Sequence, residues 1–444
     1  MIARLGARLD EIARRWMPDP FVFAIGLTGV AAALARLWTG RAWGAIVADW
    51  QSGFWSLLGF GMQMCWILVT GHAIATSRPV QRLLVRLSAL PRSPSAAVAT
   101  VAAIATLGGW FHWGLGLVGG AIAAREVGRS ARARGMAVSY PLLGAAGYSG
   151  LAVWHGGLSG SAPLLVATQD HFLAGRIGAV PLRETILSGF NLGLSAALFV
   201  LVPLVFVGLA RGASAREDAA VPPQAPAPPA SEIATATTPA ERINASAIPP
   251  LGVAEVVLSY TIHGLMVGTL SLDLNILNLI FLGLGLVLHR STASYIDAVT
   301  DGARGAAGII LQFPFYAGIL GIMRHSGLVD RLADAAVAAS TARTFPLFTF
   351  LAAGAVNLFV PSGGGQWAVQ GPIVAEAAER LGVPIGRAIL AFAYGDQWTN
   401  LAQPFWALPL LGLTGLRARD IMGYTITVML ILGAVFGVAL LLPI

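Results

Sequence analysis

Residues 344–379 read TFPLFTFLAAGAVNLFVPSGGGQWAVQGPIVAEAAE. Two apolar arms flank Pro361-Ser362-Gly363-Gly364-Gly365-Gln366. Each arm is shorter than the roughly 20 residues that a full bilayer crossing needs. The pattern predicts a re-entrant helical hairpin with its tip inside the membrane. The same form recurs over residues 94–125, interrupted at Gly108-Gly109-Trp110-Phe111-His112-Trp113-Gly114. Residues 140–168 and 387–414 are long apolar segments with polar interiors, His155 to Ser161 in one and Asp396 to Asn400 in the other, and are read as helices unwound midway. Uninterrupted spans are expected near 20–38, 54–76, 186–209, 251–270, 275–289, 305–323 and 420–443.

Composition agrees with a chain dissolved in lipid. Of 444 residues, 56% are hydrophobic and 11% charged, against about 25% charged in soluble domains. All 28 basic residues are Arg, as expected of a GC-rich bacterial genome. The formal charge of +7 does not indicate nucleic acid, because the Arg residues sit at the ends of apolar runs, where they set topology. Residues 1–18 carry Arg4, Arg8, Arg14 and Arg15 and are expected to form an amphipathic helix on the cytoplasmic face, and the apolar run that follows lacks a small-residue cleavage site and is read as a retained span. A single Cys65 excludes an intramolecular disulfide, and no His or Cys spacing suits a metal.

The Pro- and Ala-rich stretch 211–250 is expected to be a disordered cytoplasmic linker between two membrane halves, 19–210 and 251–444. The halves repeat. A shift of 249 residues places Gly59 on Gly308, Gln63 on Gln312, Ser77 on Ser326 and Arg82 on Arg331, and a shift of 246 places Tyr148 on Tyr394. With the N-terminus in the cytoplasm, 19 Arg fall on cytoplasmic faces and 9 outside, and the two hairpins enter from opposite sides. The fold class expected is therefore an all-α polytopic membrane protein of two inverted repeats, each with scaffold helices, a re-entrant hairpin and a broken helix. That combination is the sequence pattern of a secondary transporter.

Unwound backbone survives in hydrocarbon only where protein, water or a ligand satisfies it. The candidate substrate contacts are therefore Ser159, Gly160 and Ser161 at one break and Ser362, Gly363, Gly364, Gly365 and Gln366 at the other, with Trp398 and Gln403 beside them. Helix-start amides suit an anion. Asp396 is the deepest acidic residue and the first candidate for a proton or cation carrier. Asn400, Asn357, His112 and His155 complete the candidate coupling-ion set. For Asp396 a helix-capping role stays open, and for each His a structural hydrogen bond. No cofactor is expected beyond Na⁺ as an alternative coupling ion to H⁺.

Asn357-Leu358-Phe359-Val360-Pro361-Ser362-Gly363-Gly364-Gly365-Gln366-Trp367 and Ala393-Tyr394-Gly395-Asp396-Gln397-Trp398-Thr399-Asn400-Leu401-Ala402-Gln403-Pro404-Phe405-Trp406 closely resemble the bacterial short-chain fatty acid transporter family of the ion transporter superfamily. The likeness covers nearly the whole chain except 211–250. His155 departs from the family's Trp-Gly-Gly-Gly pattern. The resemblance implies uptake of acetoacetate- or butyrate-sized monocarboxylates across the inner membrane by symport, an elevator-like motion of hairpin plus broken helix, and a homodimer. Dicarboxylates or other small organic anions remain the alternative substrates. Enzymatic activity is not expected, since no Gly-x-Ser-x-Gly or metal motif appears in a suitable context.

Overall fold

The computed structural model describes residues 20–212, 238–358, 360 and 362–442. The expected helix at 1–18, most of the expected linker, and Phe359 and Pro361 of the tip lie outside the described residues. Those residues form helices and connecting turns, with no strand among them.

The first half runs α1 (Pro20–Thr39), α2 (Trp43–Phe54), α3 (Leu58–Thr76) and α4 (Arg78–Ser88). The hairpin α5 (Pro94–Phe111) and α6 (Trp113–Ala133) follows. A broken helix comes next, α7 (Tyr140–Tyr148) and α8 (Ser161–Val166), then the short α9 (Ala174–Ile177) and the long α10 (Gly189–Gly212). After α11 (Pro239–Ala245) and α12 (Ile248–Val267), the second half begins with α13 (Leu274–His289), α14 (Thr292–Arg304), α15 (Ala307–Ser326) and α16 (Leu328–Ala339). Its hairpin is α17 (Phe345–Asn357) and α18 (Gly363–Leu381). Its broken helix is α19 (Ile385–Asn400) and α20 (Pro404–Thr414), and α21 (Ala418–Leu441) ends the chain. Among the described residues, six helices (α3, α5, α10, α12, α15 and α21) are long and apolar enough to cross a membrane.

The repeat seen in sequence is a repeat of structure. The shift of 249 sets α2 on α14, α3 on α15 and α4 on α16 to within two residues. Packing exchanges the halves: α15 lies against α1 and α2, and its counterpart α3 lies against α13 and α14. Reciprocal contacts of this kind belong to a two-fold relation between repeats. Where α2 crosses α15, Gly53 meets Gly321 so closely that a Cβ on Gly53 would lie 2.8 Å from the Gly321 Cα. Small residues let the two backbones touch, and dispersion holds them where lipid supplies no hydrophobic drive.

Four differences from the sequence reading have physical causes. The helices α2, α4, α14 and α16 are only 11–13 residues long, too short and polar to register as spans. The first hairpin's arms are 18 and 21 residues long, not short, because helix α6 continues through Arg125, Glu126 and Arg129, which pair along its face. Residues 239–245 of the expected linker are helical, closed by a Thr238–Glu241 capping box. The second broken helix is unwound at Leu401-Ala402-Gln403, not at Asp396 to Asn400, which form the last turns of α19.

Candidate functional site

Four chain breaks converge between the two halves. The first hairpin turns on one residue, His112, with extended backbone (φ −160°, ψ 127°). Its Nδ1 accepts from Gly114 N at 2.9 Å and its Nε2 donates to Ile67 O at 2.7 Å. Both ring nitrogens are thereby used by the neutral tautomer. His112 caps α6 and is not available to a coupling ion.

The first broken helix leaves α7 through a 3-10 turn at Ser149–Ala152 and is non-helical from Val153 to Gly160, all but Leu158 fully buried. Its polar backbone is satisfied from elsewhere. Leu158 N donates to Trp110 O at 2.7 Å, His155 N and Gly156 N both reach Gln397 Oε1 at 2.9 and 3.2 Å, and Asn191 Nδ2 donates to Gly156 O at 2.8 Å. Ser159 Oγ accepts from Trp113 N, tying this break to the hairpin tip. The repeat-related tyrosines do the same work on opposite halves. Tyr148 donates to the carbonyls of Asn400 and Gln403 at the second break, while Tyr394 holds Asn191, which holds the first.

A cavity lies where these breaks meet the scaffold. It is bounded by Trp113, Trp154, Ser161, Ser362, Gly363, Gly364, Asn400 and Trp406, with Met64 on α3 and Ile309 and Phe313 on α15 behind. Met64 and Phe313 are counterparts under the 249 shift, so the cavity sits on the two-fold relation. It offers about 40 Å³ to the centres of water-sized molecules, room for roughly three waters or a small organic molecule. Its walls are mostly indole, phenyl and aliphatic. No charged side chain lines it. The polar groups are the Ser161 hydroxyl, which is buried without a partner, Ser362, the Asn400 amide, and the amides of Gly363 and Gly364 in the first turn of the 19-residue α18. Those first-turn N–H groups have no intrahelical acceptor and stand at the positive end of the helix dipole.

Directly behind Gly363 lies a buried pair. His155 Nδ1 and Asp396 Oδ1 are 2.8 Å apart, both side chains fully buried. A Cβ on Gly363 would meet the His155 ring at 2.8 Å and Asp396 Oδ1 at 3.3 Å, so only a glycine backbone separates the pair from the cavity. His155 Nε2 accepts from Ala162 N at 3.2 Å. This leaves His155 as the neutral Nδ1–H tautomer, donating to the carboxylate. Asp396 Oδ2 is buried with no partner, the one atom of the pair with capacity to take a proton. Asp396 does not cap a helix. Around its backbone, Asn357 Nδ2 donates to Asp396 O at 2.7 Å and Thr399 Oγ1 at 2.9 Å and touches the Asn400 amide at 2.6 Å. With the Asn400 amide turned over, its oxygen accepts from Trp154 Nε1 at 3.1 Å, and Trp154 is its counterpart under the 246 shift.

Of the residues singled out from sequence, Ser161, Ser362, Gly363, Gly364 and Asn400 line the cavity, and Asp396 with His155 lies against it. Gln366 instead donates to Ala353 O and Gln370 Oε1. Gln403 bonds the Asn357 carbonyl, Gly365 faces Tyr316, and Gly160 packs on His155 O. Trp398 points to the far side, where its Nε1 donates to Met429 O at 2.6 Å and its ring covers Gly354 and Gly433. It is tethered to α21 and does not wall the cavity. Trp154, Trp113 and Trp406 do. Asn191 and Thr399 were not foreseen, since each reads as an ordinary polar residue in an apolar helix.

Two intertwined helical repeats, with a small cavity at four chain breaks and helix-start amides facing it, make the architecture of a membrane transporter. The chain belongs to the short-chain fatty acid transporter family, whose model matches residues 1–443. It is 40% identical over 453 residues to a provisionally named short-chain fatty acid transporter of Escherichia coli (strain K12), covering the whole of both chains. It is 37% identical over 450 residues to the Haemophilus influenzae protein of the same provisional name, covering 99% of each. Its fold is similar to that of the Alcanivorax borkumensis YdaH transporter (TM-score 0.59, 15% identity, 95% of this chain and 98% of that one). It is also similar to Neisseria gonorrhoeae MtrF, described among antimetabolite efflux pumps (TM-score 0.53, 15% identity, 98% and 96%). At 15% identity these two likenesses concern the fold alone.

Proposed function

We propose that the protein is a proton-coupled symporter of short-chain monocarboxylates such as butyrate and acetoacetate across the bacterial inner membrane. The observation that carries this is the bare Asp396 Oδ2 beside a cavity whose anion-binding groups are backbone amides. A carboxylate held at the start of α18 stands near a second buried carboxylate with no cation in the lining. A proton carried on one of the two would remove the repulsion between them. Proton and substrate anion then load together, and neither binds well alone. The short apolar walls suit a few methylenes, and the limited space favours a monoanion over a dicarboxylate.

The reading extends to the motion. Both hairpins are proposed to be re-entrant, the N-terminus cytoplasmic, and the hairpins with their broken helices the moving part of an elevator in a homodimer. Na⁺ is the alternative coupling ion. Proteoliposomes given radiolabelled butyrate with an imposed pH gradient or an imposed Na⁺ gradient test the proposal. Accumulation with inward H⁺ and not with inward Na⁺ supports it. Accumulation driven by Na⁺ alone rejects the proton, and succinate outcompeting butyrate rejects the substrate class.

A further inference from the structure

A second, larger cavity lies beside the first. It offers about 420 Å³ to the centres of water-sized molecules and is half polar in its walls. Gln63 on α3, Thr168, Asp170 and His171 on the loop after α8, and Asp273 and Asn275 at the start of α13 line it. None of these served the site described above.

The two cavities are stacked along two independent helices. On α3, Phe60 faces the larger cavity and Met64 the smaller. On α8, Leu165 faces the larger and Ser161 the smaller. Residues four apart lie one above the other on a helix face, about 6 Å along the axis. The cavities are thus one helical turn apart, and what fills that turn is Phe60. Its ring packs edge-on against Phe313, a wall of the smaller cavity, with centroids 5.5 Å apart. Both rings are nearly inaccessible. Gly364 presses on the same pair: a Cβ there would lie 2.9 Å from the Phe60 ring and 3.1 Å from the Phe313 ring.

We infer that the larger cavity is the water-filled vestibule through which substrate reaches the inner cavity, and that Phe60, closed on Phe313, is the gate between them. The vestibule is lined from the start of α3, the loop after α8 and the α12–α13 turn. With a cytoplasmic N-terminus all three lie on the outer face, so the vestibule opens outward. A phenyl ring on an i, i+4 step is a barrier that one rotamer change or a small shift of α18 could open.

Thiol accessibility tests the inference without requiring any substrate. In a Cys65→Ala background, Thr168→Cys places a thiol in the vestibule and Ser161→Cys one in the inner cavity. With a membrane-impermeant methanethiosulfonate applied outside right-side-out vesicles, Thr168→Cys should react at least tenfold faster than Ser161→Cys. Adding Phe60→Ala should close that gap, with Phe60→Leu used if the alanine variant does not elute as folded protein. Equal rates with Phe60 intact, a gap that survives removal of the ring, or labelling only from the inside would overturn the gate. The inference rests on the proposed transport role for its meaning and on the proposed cytoplasmic N-terminus for the side from which the vestibule is reached. If the labelling behaves as expected and butyrate uptake is absent, the gate stands and the substrate assignment falls.

Discussion

Replacing Asp396 by Asn separates what this residue does for the fold from what it does for transport. The side chain keeps its shape, and the amide oxygen can still accept from His155 Nδ1, now 2.8 Å from Asp396 Oδ1. A hydrogen bond to a charged group contributes about 1.5–3 kcal/mol and a neutral one about 0.5–1.5, so the loss is on the order of 1 kcal/mol. Against it stands relief from burying a carboxylate with one unpaired oxygen, an effect of several kcal/mol in order of magnitude. The variant should therefore melt at the same temperature as the parent or higher. Under the proposed proton symport it should also lose the only atom of the pair able to take a proton. Purified Asp396→Asn protein, assayed by dye-based thermal melting and by radiolabelled butyrate in proteoliposomes, should lose pH-gradient-driven accumulation at least tenfold. Counterflow exchange of butyrate at equal pH should be retained. Accumulation equal to the parent in a correctly folded variant would refute the assignment. A large fall in melting temperature would refute the energetic reasoning.

Three other substitutions test the remaining assignments. Trp398→Phe removes the hydrogen bond to Met429 O and should lower stability by about 1 kcal/mol while leaving the KM for butyrate unchanged; a severalfold rise in KM would return Trp398 to the binding site. His112→Asn keeps a helix-capping side chain at the first hairpin tip but loses the ring's bond to Ile67 O; it should cost about 1–2 kcal/mol of stability without altering the response of uptake to a pH gradient, so a loss of coupling in folded protein would show that His112 carries protons. Gly53→Val drives a side chain into the Gly321 backbone and should abolish the monodisperse peak in fluorescence-detected size exclusion; a normal peak would mean that α2 and α15 are not held by this crossing.

Much of the architecture was legible because unwound backbone in an apolar chain leaves a distinct trace. Gly363 to Gly365 and the Gly-rich run before His112 mark the tips, and Pro163-Leu164-Leu165 repeating as Pro409-Leu410-Leu411 exposes the duplication. The second break was misplaced because its polar residues, Asp396 to Asn400, resemble a loop. They are helical because Asn357 and His155 satisfy them from the side, which no local pattern discloses. The pairing of Asp396 with His155 spans 241 positions, so only the fold brings it about. Trp398 and Gln366 were legible as buried polar groups, but the direction each points is set by helix α21 and by Ala353, which are remote or on the other arm. Short helices such as α2 and α14 left no trace because each is under 14 residues and partly polar.

The exchange of helices between halves has a consequence for how the chain is made. Helices α1 and α2 meet α15, and α3 meets α13 and α14, only once the second half has been made. Gly321 follows Gly53 by 268 positions. At about 5–20 residues per second of synthesis, the first half waits some 13–54 s in the membrane before that crossing can close. During this interval the Gly-lined faces of the early helices are open to any neighbour, including the same segment of another nascent chain. The tight crossing that makes the finished protein rigid is thus also a period of vulnerability in its assembly, and insertion factors that shelter small-residue helix faces would act on this protein during that window.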